Sequence, residues 1–145
     1  MIQLMTLPPP TEVIPHRSPF LFLDEVTELD PGVGAKGYWV PGEDLTFFAG
    51  HFPGRPTLPG VLMAESIAQL GAYAVLHAGS FAGKLPLFGG LDGARFRRQV
   101  VPGERLDLEL TVTRLSARAG KAAGTASVGG ELACSCELMF VAVPA

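Results

Sequence analysis

Residues 60 to 78, GVLMAESIAQLGAYAVLHA, carry apolar side chains on every side of a helical projection. Their length and their Ala, Leu and Met content favour helix over strand. A helix with no wet face must be surrounded. Lipid would surround it, but Glu65, Ser66 and Gln69 fall in its first half, the apolar core is barely long enough for a span, and no positive flank follows. The cover therefore has to be protein. The segments FLFLDEVTEL (20–29) and AKGYWV (35–40) read as paired strands across the turn DPGVG. Further strands are expected near 86–98, 105–116, 120–128 and 131–142, separated by VVPGE, SARAG and GG. In RLDLELTVTRL apolar and polar residues alternate, as in an antiparallel strand with one wet face. The expected architecture is α+β: one long central helix wrapped by a curved antiparallel sheet of five or six strands. This leaves the helix start near the sheet's edge, where a second subunit can cover it.

A chain of 145 residues fits one domain, and it shows no repeat, no charge run and no linker beyond its proline-rich first ten residues. Eleven Lys plus Arg against 14 Asp plus Glu give a net charge of -3, so nothing global argues for nucleic acid or an anionic membrane as partner. The N-terminus MIQLMTLPPP lacks Lys and Arg and breaks into prolines before reaching signal-peptide length, which favours a cytoplasmic protein. Cys134 and Cys136, the only two cysteines, share one face of a strand and are expected to be plain core residues, not a disulfide or a zinc site.

The stretch GHFPGRPTLPGVLMAESIAQ (50–69) sets a Pro- and Gly-rich loop directly against the helix. Glu65 and Gln69 lie four apart on one helical face, with Val61, Leu62 and Met63 around them. Burial raises a carboxyl pKa, so Glu65 can stay protonated and act as a general acid, with Gln69 orienting it. The plain alternative is an acidic side chain placed in the first turn by the helix dipole. His51, in the loop, can take a proton near neutrality, or it can simply satisfy loop backbone groups. Gly60, just after Pro59, puts unpaired N–H groups at the helix start within reach of a developing oxyanion. A base, an acid and an anion-binding helix end together suggest proton abstraction next to a carbonyl. His16, bracketed by Pro15 and Pro19, is expected to fix the N-terminal turn, and His77 to meet the C-terminal dipole.

The same stretch resembles the active-site signature of the FabZ-type 3-hydroxyacyl-acyl-carrier-protein dehydratases. The likeness continues in IPHRSPFLFLDEV (14–26) and GLDGARFRRQVVPGERL (90–106). The resemblance implies the hot-dog fold over residues 13–145 behind an N-terminal extension of residues 1–12. It also implies a homodimer, possible as a trimer of dimers, whose sites pair the His of one subunit with the Glu of the other. By this likeness His51 and Glu65 are catalytic, Gly60 donates its amide to the thioester oxygen, and Gln69 matches the family's Gln. The implied reaction removes water from a (3R)-3-hydroxyacyl thioester to give a trans-2-enoyl product, with no metal or redox cofactor. The implied partner is an acyl carrier protein bearing a 3-hydroxyacyl chain, and the pathway is fatty acid biosynthesis.

Acyl carrier proteins are acidic, so Arg95, Arg97 and Arg98 in ARFRR are candidates for docking, against the alternative of ordinary paired strand charges. Phe88 sits where the family has an aromatic residue near the acyl tunnel mouth. The FabA-like dehydratase-isomerases carry Asp where this chain has Glu65 and Cys where it has Val61, which argues against isomerisation. Gln99 stands where FabZ-like sequences usually have Pro, and YWVPGEDLTFFAGHFPG also departs from the usual pattern. These departures keep a polyketide or polyene substrate open. A hot-dog thioesterase and a non-catalytic acyl-binding protein are the other readings, separable by free-thiol release and by binding without turnover.

Overall fold

The computed structural model describes residues 6–145. The expected helix forms as α1, Gly60–His77, and is enclosed as its composition requires: every residue from Met63 to Val75 except Glu65 is buried. Its first turn is the open end, and Val61 keeps 63% of its surface. The helix stops where Gly79 takes φ 79° and donates its amide to the Leu76 carbonyl at 3.0 Å, a left-handed cap that suits glycine. Among the described residues no helix is long and apolar enough to cross a membrane.

Among the described residues six antiparallel strands form the sheet: β1 (Glu25–Asp30), β2 (Gly34–Trp39), β3 (Lys84–Phe96), β4 (Leu106–Leu115), β5 (Ala119–Val128) and β6 (Glu131–Pro144). Their spatial order is β1-β2-β4-β5-β6-β3, and α1 packs against β2 through β6. Alternation along β4 explains how it faces the helix. Leu106, Leu108 and Leu110 are buried while Asp107, Glu109 and Thr111 are exposed. Helix and sheet meet closely because two glycines yield space. A Cβ on Gly71 would collide with the Phe140 ring, and one on Gly124 would collide with Ile67. Cys134 and Cys136 lie buried in β6 as free thiols, as expected for core residues.

The first strand is shorter than its composition suggests. Residues 20–24 were expected in it, yet β1 begins at Glu25. The reason lies in the helix. The Phe22 amide donates to Gln69 Oε1 at 2.7 Å, and the Phe22 carbonyl accepts the Ser66 hydroxyl at 2.6 Å. Buried backbone groups need partners, and here helix side chains supply them in place of a neighbouring strand. The described residues before 13 pack on the same body: Leu7 rests on the core, and the Tyr73 hydroxyl donates to the Pro8 carbonyl at 2.7 Å. The extension's residues 1–5 lie outside the described residues.

Candidate active site

The loop before α1 is held by backbone reciprocity. Phe52 and Arg55 exchange amide-to-carbonyl bonds of 2.9 and 2.8 Å, and the Thr57 amide donates to the His51 carbonyl at 2.8 Å. The half-buried His51 ring stacks on Phe52, with centroids 4.1 Å apart. Its Nδ1 lies 2.7 Å from the Thr57 carbonyl oxygen. A carbonyl only accepts, so Nδ1 carries a proton and Nε2 is the nitrogen left for proton transfer. That is the arrangement a general base needs.

Glu65 sits one turn into α1 with its side chain 18% exposed. Burial pushes its carboxyl pKa up, and a hydrogen bond from Gln69 Nε2 at 3.1 Å partly offsets that rise. Gln69 is itself fully buried and committed on both ends, donating also to the Phe20 carbonyl at 3.1 Å. The Glu65 carboxyl is therefore aimed by a side chain that has no freedom to turn. Of the three apolar neighbours expected around it, Met63 is buried but Val61 is mostly exposed, so hydrocarbon does not close this face within a single chain.

A narrow cavity of about 30 Å³ is lined by Glu65, His16, Phe88, Phe140 and Ala68 among others. Phe88 thus lines the same cavity as Glu65, but the cavity does not include His51. Phe88 is followed by a register shift between β3 and β6 at Gly89–Gly90. Gly60 opens α1 behind Pro59, which offers no side-chain cap, so the first amides are left without an intrahelical acceptor. A Cβ at Gly60 would come within 3.0 Å of the Phe96 ring, so only glycine fits there without moving that ring. Phe96 thus packs beside Gly60, a contact the charge pattern of ARFRR does not announce.

One residue stands elsewhere than expected. His16 lines the Glu65 cavity, with Nε2 3.9 Å from Glu65 Oε1, and does not fix the N-terminal turn. That task falls to Arg17, which donates to the carbonyls of Ile14, His16 and Thr11 at 2.9, 2.6 and 2.9 Å. Burial, with the Arg17 charge adding to it, lowers the His16 pKa. Arg98 is bound by Glu104 and Glu131, each at 2.8 Å. Arg95 and Arg97 are exposed, and Arg95 bonds to the adjacent Ala94 carbonyl. His77 stacks on Tyr73 at the end of α1. Among the described residues no group of three or more His, Cys, Asp or Glu is disposed to hold a metal ion.

The FabA-like domain model matches residues 14–137, which include His51, Gly60, Glu65, Gln69 and Phe88. The chain belongs to the FabA-like domain family. It is 50% identical over 129 residues to a protein of Pelotomaculum thermopropionicum named 3-hydroxyacyl-(acyl-carrier-protein) dehydratase FabZ, covering 89% of this chain and 92% of that one. A Bacillus licheniformis protein of the same name is 49% identical over 129 residues, covering 89% and 90%. Among solved structures, the dehydratase heterocomplex ApeI:P of Xenorhabdus doucetiae superposes with a TM-score of 0.80 at 19% identity, covering 94% of this chain and 92% of that one. A virulence protein of Campylobacter jejuni superposes with a TM-score of 0.67 at 12% identity, covering 92% and 86%. At those identities the likeness is one of fold, and it is the fold the family implies.

Proposed function

We propose that the chain dehydrates (3R)-3-hydroxyacyl-acyl-carrier-protein to the trans-2-enoyl product in fatty acid biosynthesis, in the cytoplasm. The observation that carries this is a pairing within one sequence. An imidazole is fixed through its Nδ1 proton on Thr57, and a carboxyl is biased by burial toward its protonated form. His51 Nε2 takes the C2 proton, and the Gly60 amide with the helix start stabilises negative charge on the thioester oxygen. The Glu65 proton passes to the C3 hydroxyl, which leaves as water while the C2–C3 double bond forms. One proton then returns from His51 to Glu65 to reset the site. Gln69 orients the acid, and Phe88 gates the passage for the acyl chain.

Each site combines His51 of one subunit with Glu65 of a second copy. Three features support this sharing: the cavity at Glu65 omits His51, the helix start is exposed, and β3 leaves Leu87, Phe88, Leu91 and Phe96 uncovered at the sheet's edge. Arg95 and Arg97 receive the acidic carrier protein, while Arg98 is already engaged by its two glutamates.

The test follows enoyl formation by wild type, His51→Ala and Glu65→Gln from a carrier-bound 3-hydroxyacyl substrate. Each variant is expected to lose about 100-fold or more of turnover. Mixed dimers of the two variants contain one intact site per heterodimer, so refolding them together should restore about a quarter of wild-type activity. Near wild-type turnover in both variants removes the chemistry, and no recovery on mixing removes the shared site.

A further inference from the structure

The segment that follows β3 is built as a rigid strap. Arg98 donates to Glu104 through Nη1 at 3.0 Å and Nη2 at 2.8 Å, and to Glu131 through Nε at 2.8 Å. The same guanidinium holds the Gln99 carbonyl at 2.8 Å, and Glu104 accepts the Val101 amide at 2.9 Å. The strap is stitched to the catalytic loop twice. The Leu58 amide donates to the Val100 carbonyl at 2.8 Å, and Gln99 Nε2 donates to the Thr57 hydroxyl at 2.7 Å. Gln99 Oε1 also lies 3.5 Å from Arg55 Nη2, across the same loop. Thr57 is therefore gripped by its side chain on one side while its carbonyl accepts a hydrogen bond from His51 Nδ1 at 2.7 Å on the other.

We infer that Gln99 is a positioning residue for the dehydration, setting the tautomer and direction of the His51 ring through Thr57. This rests on the dehydratase reading above. The chain Arg98–Gln99–Thr57–His51 runs from a doubly paired guanidinium to the base, and each link is a hydrogen bond of 2.7 to 2.8 Å. A partner that fixes the non-reacting ring nitrogen decides which nitrogen is free to take a proton. Where Thr57 drifts, the Nδ1 proton loses its acceptor and the Nε2 lone pair loses its aim. The effect falls on turnover, because neither Gln99 nor Thr57 needs to touch the acyl chain for it to occur.

The experiment compares wild type, Gln99→Leu and Thr57→Val, which keeps the Thr57 carbonyl while removing the hydroxyl. Gln99 is exposed and Thr57 half-buried, so thermal melts should remain within a few degrees of wild type. Steady-state dehydration is measured with a short 3-hydroxyacyl thioester, and the His51 ring nitrogens are read by ¹⁵N NMR. The expected result is a fall in kcat of about threefold to tenfold with KM unchanged in each variant. The double variant should fall no further than the singles, because both break one link. The ring nitrogens should move from a fixed Nδ1–H form toward averaged shifts. If wild type turns over and both variants keep its kcat, the inference is overturned. If wild type does not dehydrate, the dehydratase reading fails by itself. The spectra then decide the clamp, and unchanged nitrogen shifts in both variants overturn it.

Discussion

Gln69 Oε1 accepts the Phe22 amide at 2.7 Å across 47 residues of sequence. With its Nε2 shared between the Phe20 carbonyl and Glu65, the amide ties the N-terminal segment to the helix and aims the carboxyl in one geometry. Gln69→Leu leaves the Phe22 amide and the Phe20 carbonyl without that partner in the interior. The expected cost is about 2 to 4 kcal/mol, read as a lowered urea midpoint with unchanged slope. A loss under about 0.5 kcal/mol would mean that other groups satisfy Phe22.

Glu65 makes stability depend on pH in a definite direction. Burial raises its pKa in the fold, so its contribution is fully present below the ordinary Glu range and is lost as pH rises through the raised value. Glu65→Gln cannot ionise. The variant should therefore gain on wild type in melting temperature as pH moves from about 4 to about 7. A gap that stays constant with pH would show that the carboxyl is not displaced.

The three arginines of ARFRR should separate by experiment. Arg98→Ala breaks two ion pairs whose members are partly or largely exposed, so about 1 kcal/mol of stability is expected to go. Arg95→Glu with Arg97→Glu should leave the melt unchanged and weaken kcat/KM several-fold for a carrier-protein substrate, with little change for a short thioester. Equal losses on the two substrates would remove the docking surface.

Gly71 faces Phe140 at the closest approach of helix and sheet. Gly71→Val adds volume where the ring already stands and puts a β-branched residue in the middle of α1. A loss of about 2 kcal/mol or more is expected from overpacking, measured by chemical denaturation. A neutral or stabilised variant would mean that Phe140 relaxes freely.

What could be read from the chain alone followed local rules. A helix apolar all round, bounded by Pro59–Gly60 and by Gly79, needs only its own composition and caps to be placed, and its start falls at Gly60 as expected. The β5–β6 turn is equally local, since Gly129 and Gly130 take φ 56° and 84° in the tight hairpin that GG signals. Residues 20–24 misled because strand-like side chains say nothing of where the backbone bonds go, and here they go to Ser66 and Gln69. Arg98 looked like a surface charge because one of its partners, Glu131, lies 33 residues away. His16 looked like part of a turn because its prolines are visible, whereas the cavity it lines is assembled from three distant segments.

β3 ends the sheet with thirteen residues, and among the described residues no strand lies beyond it. A long apolar border of that kind accepts any extended peptide that meets it, its own kind included. Concentration should thus threaten solubility before it threatens secondary structure, and light scattering ought to rise with concentration while circular dichroism still reports an intact fold. Charged replacements along that border would be tolerated by the isolated chain and resented only by its assemblies.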